Sequence, residues 1–184
     1  MGGSVNAGIG RYSFELLTTM LKQNTNDKFV VFYHAQNNNP DDITELKKLG
    51  AELVPTNIRH YSISEQLVLP RILNKYNLDL VHFPNFNVPL WYRKPFVVTI
   101  HDMVHHKISG HKKSRIWKYY LYQYIIQKAA ERAKIIFTVT EAAKDEIVKY
   151  LGVDENKIKV TYEAPATHDV VATEVAKVKG KFLL

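Results

Sequence analysis

The chain has 184 residues, 46% hydrophobic and 23% charged, a balance that fits one globular domain with a proper core. Its formal charge is +7, from 25 Lys and Arg against 18 Asp and Glu, which favours anionic partners: nucleic acid, lipid headgroups or phosphorylated small molecules. The absence of cysteine excludes disulfides, thiolate chemistry and cysteine-ligated zinc, and without a long apolar run or a signal-peptide pattern a cytoplasmic location is expected.

"SVNAGIGRYSFELL" (4–17) places Gly8 and Gly10 just before a helical stretch. Apolar positions 12, 16, 17, 20 and 21 share a face, which predicts an amphipathic helix over about 9–23. The glycine turn is either a loop whose backbone amides approach an anion, with Arg11 beside it, or a plain start to a helix. "KFVVFYH" (28–34) is β-branched and aromatic without alternation, as in a strand buried on both faces. "NNNPDD" is a turn, and "DITELKKLGAELVP" reads as a helix stopped at Gly50 and followed by a strand. In "SISEQLVLPRILNKY", Ser62 and Glu65 stand at capping-box spacing, and Pro70 should kink or divide the helix.

"LDLVHFP" (78–84) and "PFVVTIHD" (95–102) are short apolar runs bounded by turn residues, and predict two further strands. A basic, aromatic helix follows at about 112–132, then a strand "AKIIFTV" (133–139), a helix capped by Thr140 and running to Gly152, and a last strand in "KIKVTYEAP". Strands alternating with helices predict a doubly wound α/β domain around a mostly parallel sheet. Residues 167–180 lack periodicity and read as a linker, and "KFLL" starts another buried strand, so both ends of the chain look cut.

In such sheets ligands sit beyond the carboxyl ends of the strands, which singles out three stretches. The first is the glycine turn. The second is "TIHDMVHH" (99–106), where His101 and Asp102 stand at a strand exit and the histidine can donate a hydrogen bond or exchange a proton near neutral pH. Two alternatives stay open there: a metal site built from His101 and His105 with Asp102 and His106, or histidines that only bond loop backbone. The third is "YEAP" (162–165), where Glu163 either meets a sugar hydroxyl or caps a turn before Pro165. Separately, Lys112, Lys113, Arg115 and Lys118 cluster with Trp117, Tyr119 and Tyr120, the composition of an interfacial membrane helix; the alternative packs Ile116, Tyr120 and Tyr124 on the sheet and leaves the lysines in solvent. No nucleic-acid motif accompanies the basic character.

In the order "NAGIGRYSFELL", "LDLVHFPNFNVP", "PFVVTIHDM", "AERAKIIFTVTEAAKDEIVKYLGVDENKIKVTYEAP" and "KGKFLL", the chain resembles the N-terminal domain of a retaining, family-4-type glycosyltransferase of the GT-B fold. The resemblance implies two Rossmann-like domains, the N-terminal one binding the acceptor and the C-terminal one the nucleotide-diphosphate-sugar donor, and a role in polysaccharide biosynthesis. Residues 1–166 would be the acceptor domain lacking the family's first strand, and 167–184 the linker and first strand of a C-terminal partner domain that the sequence does not contain. Gly8 and Gly10, with Arg11, would approach the donor phosphates. His101 would lie near the transferred sugar with Asp102 beside it, and Thr140 and Glu163 would bind substrate. No metal or resident cofactor is implied. The implied partners are the donor domain, a sugar or lipid-linked acceptor and the inner face of a membrane, and the isolated chain should be inactive. The rival to this transferase is a non-enzymatic basic module that binds anionic membrane or nucleic acid through helix 112–132.

Overall fold

The computed structural model describes residues 8–23, 26–103 and 113–163. The chain runs α1 (Ile9–Lys22), β1 (Val30–His34), α2 (Pro40–Lys48), β2 (Glu52–Thr56), α3 (Ile63–Lys75), β3 (Val81–Phe83) and β4 (Phe96–Thr99). It continues through α4 (Lys113–Arg132), β5 (Ile136–Thr138), α5 (Glu141–Leu151), a 3-10 turn (Glu155–Lys157) and β6 (Ile158–Val160). Every described strand pairing is parallel, so the alternation of helix and strand builds the α/β architecture that the sequence predicts. The strands form two ladders, β1–β2 and β3–β4–β5–β6, rather than one. Packing joins them: Phe32 of β1 sits against the main core and meets Tyr76 edge-on at 5.1 Å.

The main core lies around the four-stranded ladder. Val81, Phe83, Phe96, Val98, Ile100, Ile136 and Ile158 come from the strands or their exits, and Leu73, Ile126 and Ile147 from α3, α4 and α5. Ala129, Ala130 and Ala133, at most 2% exposed, let the end of α4 approach the ladder closely. There Arg132 donates to the Leu90 carbonyl at 2.7 Å and to the Tyr92 carbonyl, and its guanidinium lies over the Phe96 ring at 5.7 Å. Arg132 thereby ties the loop before β4 to α4. The strands are shorter than the apolar runs suggest, because ladder bonding stops where the chain turns into its loops.

Two helix faces differ from expectation. In α1 the buried residues are Gly10, Ser13, Phe14 and Thr18, with Leu17 and Leu21 packed against the smaller core, while Met20 is 39% exposed. Small residues let the helix approach its neighbours on this side, so close packing rather than hydropathy alone sets the face. In α4 the buried face is Ile125, Ile126, Ala129 and Ala130; Tyr120, Leu121 and Tyr124, at 59%, 56% and 53% exposure, point away from the ladder. The expectation that Tyr120 and Tyr124 pack on the sheet is therefore corrected. The side chains of Lys113, Arg115, Ile116, Trp117 and Lys118, and the whole of Lys112, fall outside the described residues.

Local signals hold elsewhere. Thr140 caps α5 by accepting the Ala143 N–H at 3.1 Å, and Gly152, at φ 61, ends it in a left-handed conformation that glycine adopts readily. Pro70 does not divide α3, which stays one helix across it.

Candidate functional site

The polar groups collect where β4 ends. Ile100 still donates to Phe137 at 2.9 Å; the chain then leaves the ladder and presents His101. Both ring nitrogens of His101 face acceptors. Nε2 lies 3.1 Å from the Pro84 carbonyl, at the end of β3, and Nδ1 lies 3.5 Å from the Glu163 carboxylate, just beyond β6. A carbonyl can only accept, so Nε2 carries hydrogen. The imidazole is mostly buried, at 16% side-chain exposure, against 54% for Glu163. The exits of β3, β4 and β6 thus converge on one ring. Asp102 follows it as an exposed carboxylate.

The first turn of α1 approaches the same place. Tyr12 meets the His101 ring edge-on with centroids 4.8 Å apart, and its hydroxyl lies 3.4 Å from Thr99 Oγ1. Just upstream, Gly8 caps α1 at φ 79 and accepts the first helical bond, Tyr12 N–H to Gly8 O, at 2.9 Å. A residue with a Cβ disfavours that backbone. The first turn holds no acidic residue, so the positive end of the helix dipole is not neutralised from within. Gly10 is buried on the packed side of α1, and Arg11 is exposed. Of the sequence candidates, the structure therefore brings together the α1 start, His101, Asp102 and Glu163. Thr140 stands at the β5 exit with its hydroxyl engaged as the α5 cap.

Beneath this surface lies a pair that the sequence reading missed. His82, on β3, places Nε2 2.8 Å from the Thr99 hydroxyl, which is fully buried and also reached by Tyr12. Burial, with a smaller contribution from the charge of His101, lowers the His82 pKa to about 4, so this ring is neutral at physiological pH. A histidine inside the apolar run "LVHF" is the signal that marks it.

A second polar cluster joins the start of α3 to the loop after β3. Glu65 is buried; its carboxylate accepts the Tyr61 N–H at 2.6 Å and the Asn87 side-chain amide, and lies 3.3 Å from His60 Nδ1. Ser62 Oγ accepts the Glu65 N–H at 3.2 Å, but the return bond goes to Tyr61 rather than to Ser62, so the capping box is displaced by one residue. Asn85 donates to the Tyr61 hydroxyl at 3.2 Å. Phe86 contacts both Tyr61 and Tyr122. Burial first, then Asp102, Tyr119 and Tyr61, pushes the Tyr122 hydroxyl pKa up to about 12.

His105 and His106, needed for the metal alternative, lie outside the described residues, as does 164–184 with the linker and "KFLL". Among the described residues no three metal-ligating side chains gather, and no helix is long and apolar enough to cross a membrane. A model of the family described as Glycosyltransferase Family 4 matches residues 7–164, which spans the α1 start, the β4 exit and Glu163. No curated protein matches the chain.

Proposed function

The chain belongs to glycosyltransferase family 4, and we propose that it forms the acceptor-binding half of a two-domain, GT-B-type enzyme. That enzyme moves a sugar from a nucleotide-diphosphate-sugar to a saccharide or lipid-linked acceptor with retention of configuration. The observation that carries this reading is the meeting of the α1 start with His101 at the β4 exit, closed on the far side by Glu163. Departure of a nucleoside diphosphate develops negative charge, and fixed donors aimed at it lower the barrier. The Gly8 turn, the α1 N-terminus and Arg11 supply such donors from this half. His101, held between the Pro84 carbonyl and the Glu163 carboxylate, lines the crevice beside the transferred sugar, and Asp102 and Glu163 accept from sugar hydroxyls. Donor recognition belongs to the partner domain.

The test is transfer of a labelled sugar by a polypeptide that carries this domain together with its donor-binding domain. His101→Ala should lower turnover well beyond what its stability cost explains. The ring is mostly buried against Tyr12 and bonded to the Pro84 carbonyl, so its loss should cost about 1–3 kcal/mol, and turnover is compared at a temperature where both proteins are folded. Wild-type turnover in that variant would reduce His101 to a loop residue. The 184-residue chain alone should transfer nothing.

A second reading concerns where the enzyme works. Tyr120, Leu121 and Tyr124 form an exposed apolar strip on α4, next to the basic segment of the same helix. This favours peripheral contact with an anionic membrane surface from the cytoplasmic side. Binding to phosphatidylglycerol vesicles that falls with salt and with Leu121→Glu supports it; indifference to both removes it.

A further inference from the structure

Three aromatic rings make a continuous shelf beside His101. Tyr61 and Phe86 have centroids 6.2 Å apart, and Phe86 meets Tyr122 edge-on at 5.0 Å. Phe86 and Tyr122 pack against the main core and give a firm floor, whereas Tyr61 is 67% exposed. The backbone under Tyr61 lies at φ 57, the left-handed region that a tyrosine disfavours. It is held there from both ends: Glu65 accepts the Tyr61 N–H, and Asn85 donates to the Tyr61 hydroxyl. Buried Glu65 and buried Asn87, bonded to each other, brace this arrangement. A polar network thus fixes an exposed ring against its backbone preference. Packing does not account for that, because the ring buries so little.

The position points to a ligand. The 85–87 loop follows Pro84, whose carbonyl bonds His101, and Asp102 lies within electrostatic reach of Tyr122. The shelf therefore stands beyond the carboxyl ends of β3 and β4, where parallel sheets bind ligands. A pyranose ring has an apolar face of C–H groups that suits an aromatic surface, and a rim of hydroxyls that suits amides and carboxylates. Asn85 Nδ2 carries a second hydrogen, and Asp102 offers an acceptor. Asp102 and Glu65 also bring negative charge here, which suits a neutral sugar better than a phosphate.

We propose that Tyr61, Phe86 and Tyr122 form a saccharide subsite, in which a pyranose ring of the acceptor lies on Tyr61 with its hydroxyls toward Asn85 and Asp102. This rests on the transferase assignment and narrows it: the part of the acceptor recognised here is a sugar ring.

The experiment is saturation-transfer and amide-shift NMR on the 184-residue chain, with the methyl pyranosides of glucose, mannose, galactose and N-acetylglucosamine as probes. At least one glycoside should receive saturation and shift Tyr61, Phe86 and Tyr122. Tyr61→Gly accepts the same backbone conformation and removes only the ring, so it should stay folded and weaken binding about fivefold to tenfold. Tyr61→Phe should keep most of the binding. Unchanged binding in Tyr61→Gly, or no saturation of any glycoside by the folded wild type, overturns the subsite. Phosphatidylglycerol vesicles that shift these residues when no glycoside does would assign the shelf to a membrane and overturn it equally. Shifts at Gly8 and His101 with UDP- or GDP-glucose, but none at the shelf with any glycoside, would leave the transferase assignment standing and sink the subsite alone; silence in both places would count against both.

Discussion

Acidification should weaken this domain through one identifiable residue. His82 has a pKa lowered from 6.5 to about 4 by burial first and by the charge of His101 second. The unfolded chain therefore binds a proton at His82 over a pH range in which the folded one does not, so stability falls as pH drops from 6.5 towards 4. Above that window both states are neutral at His82, and below it both are protonated, so this contribution is flat on either side. Each pH unit is worth about 1.4 kcal/mol, which makes the loss across the window about 3 kcal/mol. That is a large share of the stability of an ordinary domain. His82→Gln retains a polar partner for the Thr99 hydroxyl and does not titrate. Urea denaturation at pH 7, 6, 5 and 4.5 should show a falling midpoint in the wild type and a flatter profile, from a lower starting value, in the variant. The same slope in both proteins would refute the reasoning and move the acid sensitivity to other groups.

Tyr92 carries a fully buried hydroxyl with no hydrogen-bond partner among the described residues, so Tyr92→Phe should stabilise by about 1 kcal/mol, read as a rise in the thermal midpoint. Thr140→Ala removes the α5 cap and should cost about 1 kcal/mol in the same assay, while Thr140→Ser should recover it; a loss of activity in Thr140→Ser would instead point to substrate contact. Among the described residues a Cβ at Gly8 meets nothing within 4 Å, so the cost of Gly8→Ala comes from the backbone at φ 79 and ψ −101, about 1–3 kcal/mol by urea midpoint, and no loss there would show that the α1 start can rearrange.

The features legible in the sequence are those set by near neighbours. The start and stop of α5 could be read from Thr140 and Gly152 because a cap and a left-handed terminus involve only a few residues. The buried face of α1 could not be read from hydropathy, because Gly10, Ser13 and Thr18 are chosen for size at a close contact. α4 misled for the opposite reason: aromatic residues occur on both of its faces, and the one that packs is the face carrying Ile125, Ile126, Ala129 and Ala130. Glu65 announced itself as a capping residue, yet its carboxylate also holds Asn87 from a distant loop. The Tyr12–His101 contact joins the first helix to the fourth strand, a pairing that no local pattern contains.

The two histidines at the end of the sheet divide the work by depth. His82 and His101 are close enough for the charge of one to lower the pKa of the other, so two cations here would repel each other. Burial keeps the inner ring, His82, uncharged. His82, bonded to the Thr99 hydroxyl, stays neutral and serves as a fixed wall. His101 sits between two acceptors, the Pro84 carbonyl and the Glu163 carboxylate. Glu163 completes this from a different strand exit, so the geometry of His101 depends on β3, β4 and β6 keeping their register together. A shift of any one strand would misplace a partner of the ring, and that ties the precision of the site to the packing of the core beneath it.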